Sequence, residues 1–141
     1  LDNGNTVDAI YMDFQKAFDT VPHCRLIGKL NTYSIANPVL GWIKSFLSGR
    51  VQQVVVNGEQ SEWLPVTSGI PQGSVLGPVL FVLYINDLPE IVDSDVFLFA
   101  DDTKIFRTII KDSDSDLLQC DLDSLMDWSN TWLLRFCFLP D

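Results

Sequence analysis

The sequence has few cysteines and one histidine. Cys24, Cys120 and Cys137 lie far apart, and the single histidine is His23. Neither a Cys-x-x-Cys spacing nor a His pair is present, which argues against structural zinc and against a disulfide framework. We therefore expect a reducing, intracellular setting, with nucleus and cytoplasm both open.

Long apolar runs are also missing. The longest run, from Val75 to Ile85, is about half of the roughly 20 residues that a membrane-spanning helix needs, and Asn86 and Asp87 interrupt it. The start, from Leu1, is acidic and polar, unlike the basic-then-apolar plan of a secretory signal. We therefore expect no membrane partner, and we expect the chain to be part of a longer protein.

Basic residues are scarce. The 141 residues include 9 Lys and Arg against 19 Asp and Glu, for a net charge of −10. The excess is in residues 87–141, which carry thirteen acids and four bases. Taken alone, this balance argues against nucleic-acid binding, because neutralised phosphates supply most of that affinity. The 47% of apolar residues is enough for the core of one domain over residues 1–141.

Hydrophobic periodicity and turn signals predict one unit with the order βααββαββα. The predicted strands are Thr6–Asp13, Val51–Val56, Glu59–Leu64, Asp95–Ala100 and Thr103–Ile109, and the predicted helices are Pro22–Tyr33, Asn37–Leu47, Val75–Leu88 and Asp112–Leu134. The dipeptide Asn57-Gly58 indicates a tight hairpin. Asn37 is the expected cap of its helix, and Pro89 is expected to end the helix before it.

Three acids are candidates for chemistry. Asp13 ends the first strand, and Asp101 and Asp102 join the last two strands. An Asp pair at a turn is by itself usually only a solvated turn. The apolar run from Val96 to Ala100, however, predicts a strand buried on both faces, so that these acids would lie beside the core. Clustered carboxylates repel each other unless a cation neutralises them, which favours a Mg²⁺ site of the kind used in nucleotidyl transfer.

A second set of acids gives a weaker alternative. Asp112, Asp114 and Asp116 match the first three ligand positions of a calcium-binding EF-hand loop. Leu117 stands where that loop needs Gly, and Asp123 stands where it needs Glu. The acids are better explained as the first turn of the last helix, where the helix dipole favours negative charge.

Three stretches together resemble a known family. They are YMDFQKAFDTV at Tyr11–Val21, SGIPQGSVLGPVLFVLYINDLP at Ser68–Pro89 and FADDTKI at Phe99–Ile105. In this order they resemble motifs A, B and C of the reverse transcriptases of LINE-type, non-LTR retrotransposons, and the resemblance covers nearly the whole chain. It implies an α+β fold, the polymerase palm, with an RRM-like antiparallel sheet backed by helices and without complete fingers and thumb.

The resemblance also implies an activity, RNA-directed DNA synthesis. Asp13, Asp101 and Asp102 would hold two Mg²⁺ ions, with Mn²⁺ as a possible substitute, while a primer 3′-hydroxyl attacks a deoxynucleoside triphosphate. The partners of the complete enzyme would be an RNA template, a DNA primer and deoxynucleotides. The oligomeric state stays open.

Further roles follow from the same resemblance. Phe18 would lie under the sugar of the incoming nucleotide and clash with a 2′-hydroxyl, although ordinary core packing is the alternative. Gln72 and Gly73 would contact nucleotide and template, although a plain turn before a helix is the alternative. Asp19 is expected to be a structural or capping acid before Pro22, and His23 to be a surface or helix-start residue and not a ligand or base.

The chain also departs from the family pattern. Only 12 residues precede Asp13, so the basic finger strands are expected to be missing, and Arg135–Asp141 replaces the usual Asn- and Lys-bearing segment. We therefore expect the isolated chain to be weak or inactive as a polymerase. The rival reading is a folded, non-catalytic remnant that acts only as an interaction domain. Another palm-type enzyme, such as a cyclase, is disfavoured by the Gly69–Gly73 loop and the FADD tip.

Overall fold

The computed structural model describes residues 6–137, which form a mixed helix and sheet structure of the α+β type. The strands are β1 Thr6–Phe14, β2 Val51–Gln52, β3 Val55–Val56, β4 Glu59–Gln60, β5 Leu64–Pro65, β6 Asp95–Phe99, β7 Asp102–Ile109 and β8 Phe136–Cys137. The helices are α1 Ala17–Thr20, α2 His23–Thr32, α3 Asn37–Leu47, α4 Leu76–Ile85 and α5 Asp112–Trp132, and a 3₁₀ turn covers Leu88–Ile91.

The main sheet has four antiparallel strands in the order β6-β7-β1-β8. β1 pairs with β7 along eight residues, from Thr6 opposite Ile109 to Asp13 opposite Asp102. Alternate side chains of a strand point to opposite faces, so Met12 is buried against the core while Tyr11 is 76% exposed. The sheet therefore has one face covered by helices and one open face.

The core lies between the covered face of the sheet and the helices α2 to α5. Phe14 is its centre: the ring stacks on Phe136 at 4.6 Å between centroids and meets Phe81 edge-on at 6.2 Å. Leu26 from α2 and Leu125 from α5 complete this apolar cluster. Removing these side chains from water is the main force that holds the helices against the sheet.

One sequence prediction about the candidate site is wrong. β6 is not buried on both faces, because it lies at the edge of the sheet. Its side chains alternate between the core and solvent, and Phe97 and Phe99 are 64% and 81% exposed. An apolar run cannot distinguish a central strand from an edge strand that carries aromatic side chains on its open face.

Several element boundaries also differ. α3 begins and ends at the predicted residues, but its cap position is Ala36, so the prediction that Asn37 caps it is wrong. Pro89 does not end an α-helix, because α4 stops at Ile85 and Pro89 lies inside the 3₁₀ turn. Within residues 6–137, no helix is both long and apolar enough to cross a membrane.

The predicted hairpin at Asn57-Gly58 is confirmed. These two residues join β3 to β4 with φ angles of 52° and 88°, the left-handed pair that a tight hairpin turn requires. The long predicted strands are interrupted, however, into the short pairs β3·β4 and β2·β5. This double hairpin projects from the core, and its valines are largely exposed.

Candidate active site

Two of the predicted acids lie side by side at one end of the main sheet. Asp13 of β1 and Asp102 of β7 are direct cross-strand partners. Directly opposite residues of an antiparallel pair carry their side chains on the same face, roughly 5 Å apart at Cβ. Asp13 is also paired on its other side, with Cys137 of β8. The structure therefore brings the first acid and the last of the three together, on strands that fix their positions.

Asp101 lies in the turn, as predicted, but Asp102 lies in β7 and not in the turn. Because Phe99 pairs with Asp102, the two-residue turn between β6 and β7 consists of Ala100 and Asp101. The acids are thus divided between the turn and the start of β7. Ala100 has a φ of 55°, a left-handed conformation that costs a residue with a side chain about 1–2 kcal/mol. Strain of this kind is concentrated at functional sites.

The paired acids border a cleft that we call the acidic cleft. It has a volume of about 530 Å³ and lies between β1, β8 and α5, with Asp13, Asp102 and Asp123 at its polar side. Gln119 also lines the cleft, and most of the rest of its wall is apolar, with Met12 and Leu125 among the side chains.

The carboxylates of Asp13 and Asp102 are suitable ligands for Mg²⁺, but no third ligand joins them in the part of the chain that the structure describes. A protein usually binds Mg²⁺ through one or two carboxylates, with water and substrate phosphates as the other ligands. Asp13 and Asp102 fit that requirement as a pair of carboxylates. Within residues 6–137, however, no group of three or more His, Cys, Asp or Glu side chains converges closely enough to hold a metal ion, so Asp13, Asp101 and Asp102 do not together form such a group.

Phe18 is half-buried, and its ring packs on Phe81 with 4.7 Å between the centroids. The carbonyl oxygen of Phe18 accepts a hydrogen bond of 2.6 Å from the backbone N–H of Ile70. Core packing therefore fixes the ring, and the backbone contact joins this segment to the loop before α4. The core packing of the ring is thus established, and its contact with a sugar stays a prediction.

The loop before α4 carries Gln72 and Gly73. Gln72 donates a hydrogen bond of 3.1 Å from Nε2 to the carboxylate of Asp19. Gly73 has a φ of 77°, which favours glycine. His23, at the start of α2, donates from Nε2 to the carbonyl oxygen of Gly69 at 2.8 Å. Asp19 and His23 thus hold the loop in place.

A second cleft, which we call the basic cleft, lies beside this loop. It has a volume of about 690 Å³, and its wall includes Lys16, Asp19, Arg50 and Gln72. Sequence reasoning missed Lys16 and Arg50. Arg50 is 34 positions from Lys16 in the chain, and only the placement of the double hairpin brings the two to one cavity, so no local pattern could have revealed them.

The sequence also matches the model of a known family. The family model of reverse transcriptase (RNA-dependent DNA polymerase) matches residues 3–137. The chain therefore belongs to the reverse transcriptase family, and the resemblance seen in the three motifs is confirmed.

The relatives of the chain include polymerases of mobile elements. It is 33% identical to the RNA-directed DNA polymerase from mobile element jockey of Drosophila melanogaster, over 96% of this chain and 16% of that protein. It is 32% identical to the probable RNA-directed DNA polymerase from transposon X-element of the same species, over 93% of this chain and 15% of that protein. The chain thus spans about one sixth of the length of these relatives.

Proposed function

We propose that residues 1–141 are one partial reverse transcriptase domain, the palm of an RNA-directed DNA polymerase. It would add deoxynucleotides to a primer 3′-hydroxyl on an RNA template, with Asp13, Asp101 and Asp102 as ligands of divalent metal ions. The observation that carries the proposal is the register that sets Asp13 opposite Asp102 at the end of a sheet with one open face.

The site residues have separate roles in this proposal. Mg²⁺ or Mn²⁺, when bound, lowers the pKa of an attacking hydroxyl and neutralises charge on a transferring phosphate. Asp13 serves as a fixed ligand, because pairing with both β7 and β8 leaves its backbone little freedom. Asp102 adds the second carboxylate on the same face, and Asp101 supplies a carboxylate from the strained turn.

Substrate selection would depend on the segment that follows β1. We assign to Phe18 the exclusion of a 2′-hydroxyl, because packing on Phe81 holds its ring in a single place. We assign to Gln72 and Gly73 the contacts with nucleotide and template, because the loop that carries them is tied to Asp19 and borders the basic cleft. A polar loop whose backbone can be approached closely suits such contacts.

A non-catalytic remnant is the second candidate. The observation that favours it is the lack, within residues 6–137, of three converging metal-binding side chains. Such a remnant would keep the fold for stability and would bind divalent ions no better than a chain without Asp13.

Calorimetric titration with Mg²⁺ and Mn²⁺ separates the two candidates. The palm proposal expects Asp13→Asn and Asp102→Asn to weaken binding at least tenfold, since each removes one of two carboxylate ligands. Asp116→Asn is the matched control, because this exposed acid of α5 lies outside the acidic cleft. Equal affinities for the chain and all three variants would favour the remnant.

Primer extension tests the activity itself. With RNA template, DNA primer, deoxynucleotides and Mg²⁺, we expect the isolated chain to give weak or no extension. Robust extension that Asp101→Asn abolishes would contradict this expectation of weak activity, and it would establish the polymerase function directly.

A further inference from the structure

The backbone of β1 has a free edge in the described part of the chain. β8 pairs with β1 at Asp13 and Phe14, and within residues 6–137 no other strand lies on that side of β1. The stretch from Thr6 to Met12 is paired with β7 on its other side. A strand edge of this kind presents N–H and C=O groups that are a template for pairing with another chain.

The register identifies the backbone groups at this edge. The N–H of Gln15 donates a hydrogen bond of 2.8 Å to the carbonyl oxygen of Arg135, on the side of β8. Successive residues of a strand direct their backbone groups to opposite edges, and the pairing of β1 with β7 runs without a bulge. The N–H and C=O groups of Val7, Ala9 and Tyr11 therefore point to the free edge.

The acidic cleft lies along this edge. Ile10, Tyr11 and Met12 of β1 form one of its sides. The other side is one face of α5, with residues at helical spacing: Gln119, Leu122, Asp123 and Met126. An exposed sheet edge can accept an extended peptide as an added strand, with the peptide's side chains held by the neighbouring pocket. The groove between β1 and α5 thus has both parts that such binding needs.

The charge and the walls of the cleft define its occupant. Its lining, taken from residues 6–137, includes the acids Asp13, Asp102 and Asp123 and no basic residue. An added strand turns every second side chain toward the apolar wall of Leu122 and Met126, and the others toward the open face that carries Asp13. A segment in which apolar and basic residues alternate fits both. A second copy of this chain fits poorly, because its net charge is −10 and like charges repel.

We propose that the free edge of β1 and the acidic cleft bind an extended segment of a partner protein, with alternating apolar and basic residues, as an added strand of the main sheet. The segment runs antiparallel to β1, as β8 does, and continues the line of β8 toward Thr6. The site does not depend on the proposed polymerase function, because backbone pairing and the wall of α5 need neither metal nor nucleotide.

Titration of the chain, in chelator, with designed fluorescent peptides tests the proposal. The probe has about seven residues, in which Val and Lys alternate. Directly opposite residues share a face of the sheet, so the residues that bond to Ala9 and Tyr11 are the Lys residues. N-methylation of the Lys amides should therefore weaken binding at least about tenfold. N-methylation of the Val amides, which face away from β1, should change it less than about threefold.

Variants of the chain locate the site. Ala9→Pro removes an N–H from the free edge but no bond to β7, so the fold should persist and binding should fall at least about tenfold. Met126→Lys places a positive charge in the cleft and should weaken binding to the same extent. Leu117→Lys is its matched control, because Leu117 is 42% exposed, against 38% for Met126, and lies outside the cleft. Thermal unfolding of each variant checks that the fold is intact.

Amide hydrogen exchange gives an independent readout. Binding should protect the N–H groups of Ala9 and Tyr11 and should leave those of Asp8 and Ile10, which already face β7, unchanged.

Three outcomes overturn the inference. The first is equal binding of the two N-methylated peptides, or no binding up to about 1 mM probe. The second is binding that appears only in a chain ending at Cys137, because the occupant is then the chain's own last residues. The third is dimerisation of the chain that Ala9→Pro abolishes, because the occupant is then a second copy.

Discussion

Lys29 is a buried cation that should be essential for stability. Its side chain is 4% exposed, and Nζ donates hydrogen bonds of 2.6 Å to the carbonyl oxygen of Tyr84 and to the carboxylate of Asp87. The rings of Tyr84, Trp128 and Trp132 surround it, at 5.1, 4.8 and 3.8 Å from Nζ to the centroids. Burial lowers the pKa of Lys29, while the hydrogen bond and the charge of Asp87 oppose that shift. One ammonium group thus joins α2, α4 and α5.

Lys29→Met removes the charge and keeps a similar apolar stem. Breaking a buried ion pair by removing one partner costs about 3–5 kcal/mol, because the other charge is left unpaired. The side chain of Asp87 is 31% exposed and can recover some hydration, so we expect a loss at the lower end, about 3 kcal/mol. For a domain of this length that loss corresponds to a fall in Tm of about 10 °C.

Urea denaturation followed by circular dichroism measures this loss. Lys44→Met, the same change at an exposed position of α3, should alter the free energy of unfolding by less than about 0.5 kcal/mol. In the Asp87→Asn background, Lys29→Met should cost about 2 kcal/mol less than in the unchanged chain, because the two residues are coupled. A cost below about 1 kcal/mol, or additive effects of the two changes, would refute the reasoning.

Three further predictions concern the core and the loop before α4. Thr103→Val should raise the free energy of unfolding by about 1 kcal/mol, since the buried Thr103 hydroxyl has no hydrogen-bond partner within residues 6–137. Thr108→Val, the same change at an exposed position of β7, should have little effect on the free energy of unfolding. Burial raises the pKa of Tyr84 above its usual 10.0, so the protonated phenol stabilises the fold fully below pH 10.0, and this contribution is lost as the pH rises further. Tyr84→Phe should lower the free energy of unfolding by about 1 kcal/mol at neutral pH, because the hydrogen bond to the carbonyl oxygen of Trp132 is lost. The variant should also lose less stability than the unchanged chain when the pH is raised above 10.0. Gly69→Ala should lower the free energy of unfolding by at least about 1 kcal/mol, because the φ of 85° disfavours a side chain and the new Cβ would lie 2.8 Å from the carbonyl oxygen of Asp19. Gly28→Ala, in open space on α2, should instead stabilise the fold slightly. Thermal unfolding measures both variants, and a Tm of Gly69→Ala at or above that of Gly28→Ala would contradict this prediction.

The sequence correctly predicts the helix and turn features that depend on residues close together in the chain. Helical spacing predicts α3 at Asn37–Leu47, and the left-handed preference of Asn57 and Gly58 predicts the turn between β3 and β4. The acids Asp112 and Asp114 do form the charged first turn of α5, where Asp114 accepts hydrogen bonds from the N–H groups of Ile110 and Lys111. These features depend on neighbours within a few residues.

Three of the differences have one physical cause, since each depends on partners that are distant in the chain. The burial of β6 depends on its place at the sheet edge, and β8 exists only because Phe14 and Asp13 offer it a pairing edge. The turn before β7 is one residue earlier than predicted because the register with β6 places Asp102 in the strand.

The sequence alone was enough to identify the family and the three candidate acids, because family motifs and turn preferences lie in short stretches of the chain. The assignment of Asp102, and not Asp101, as the partner of Asp13 required the pairing of β1 with β7. The tertiary structure was also needed to show that Lys16 and Arg50 line the same cleft. It was likewise needed to show that Lys29 is buried among aromatic rings from α4 and α5. Cross-strand register and cavity walls arise from long-range contacts, and no local pattern of charge or hydrophobicity specifies which distant residues will meet.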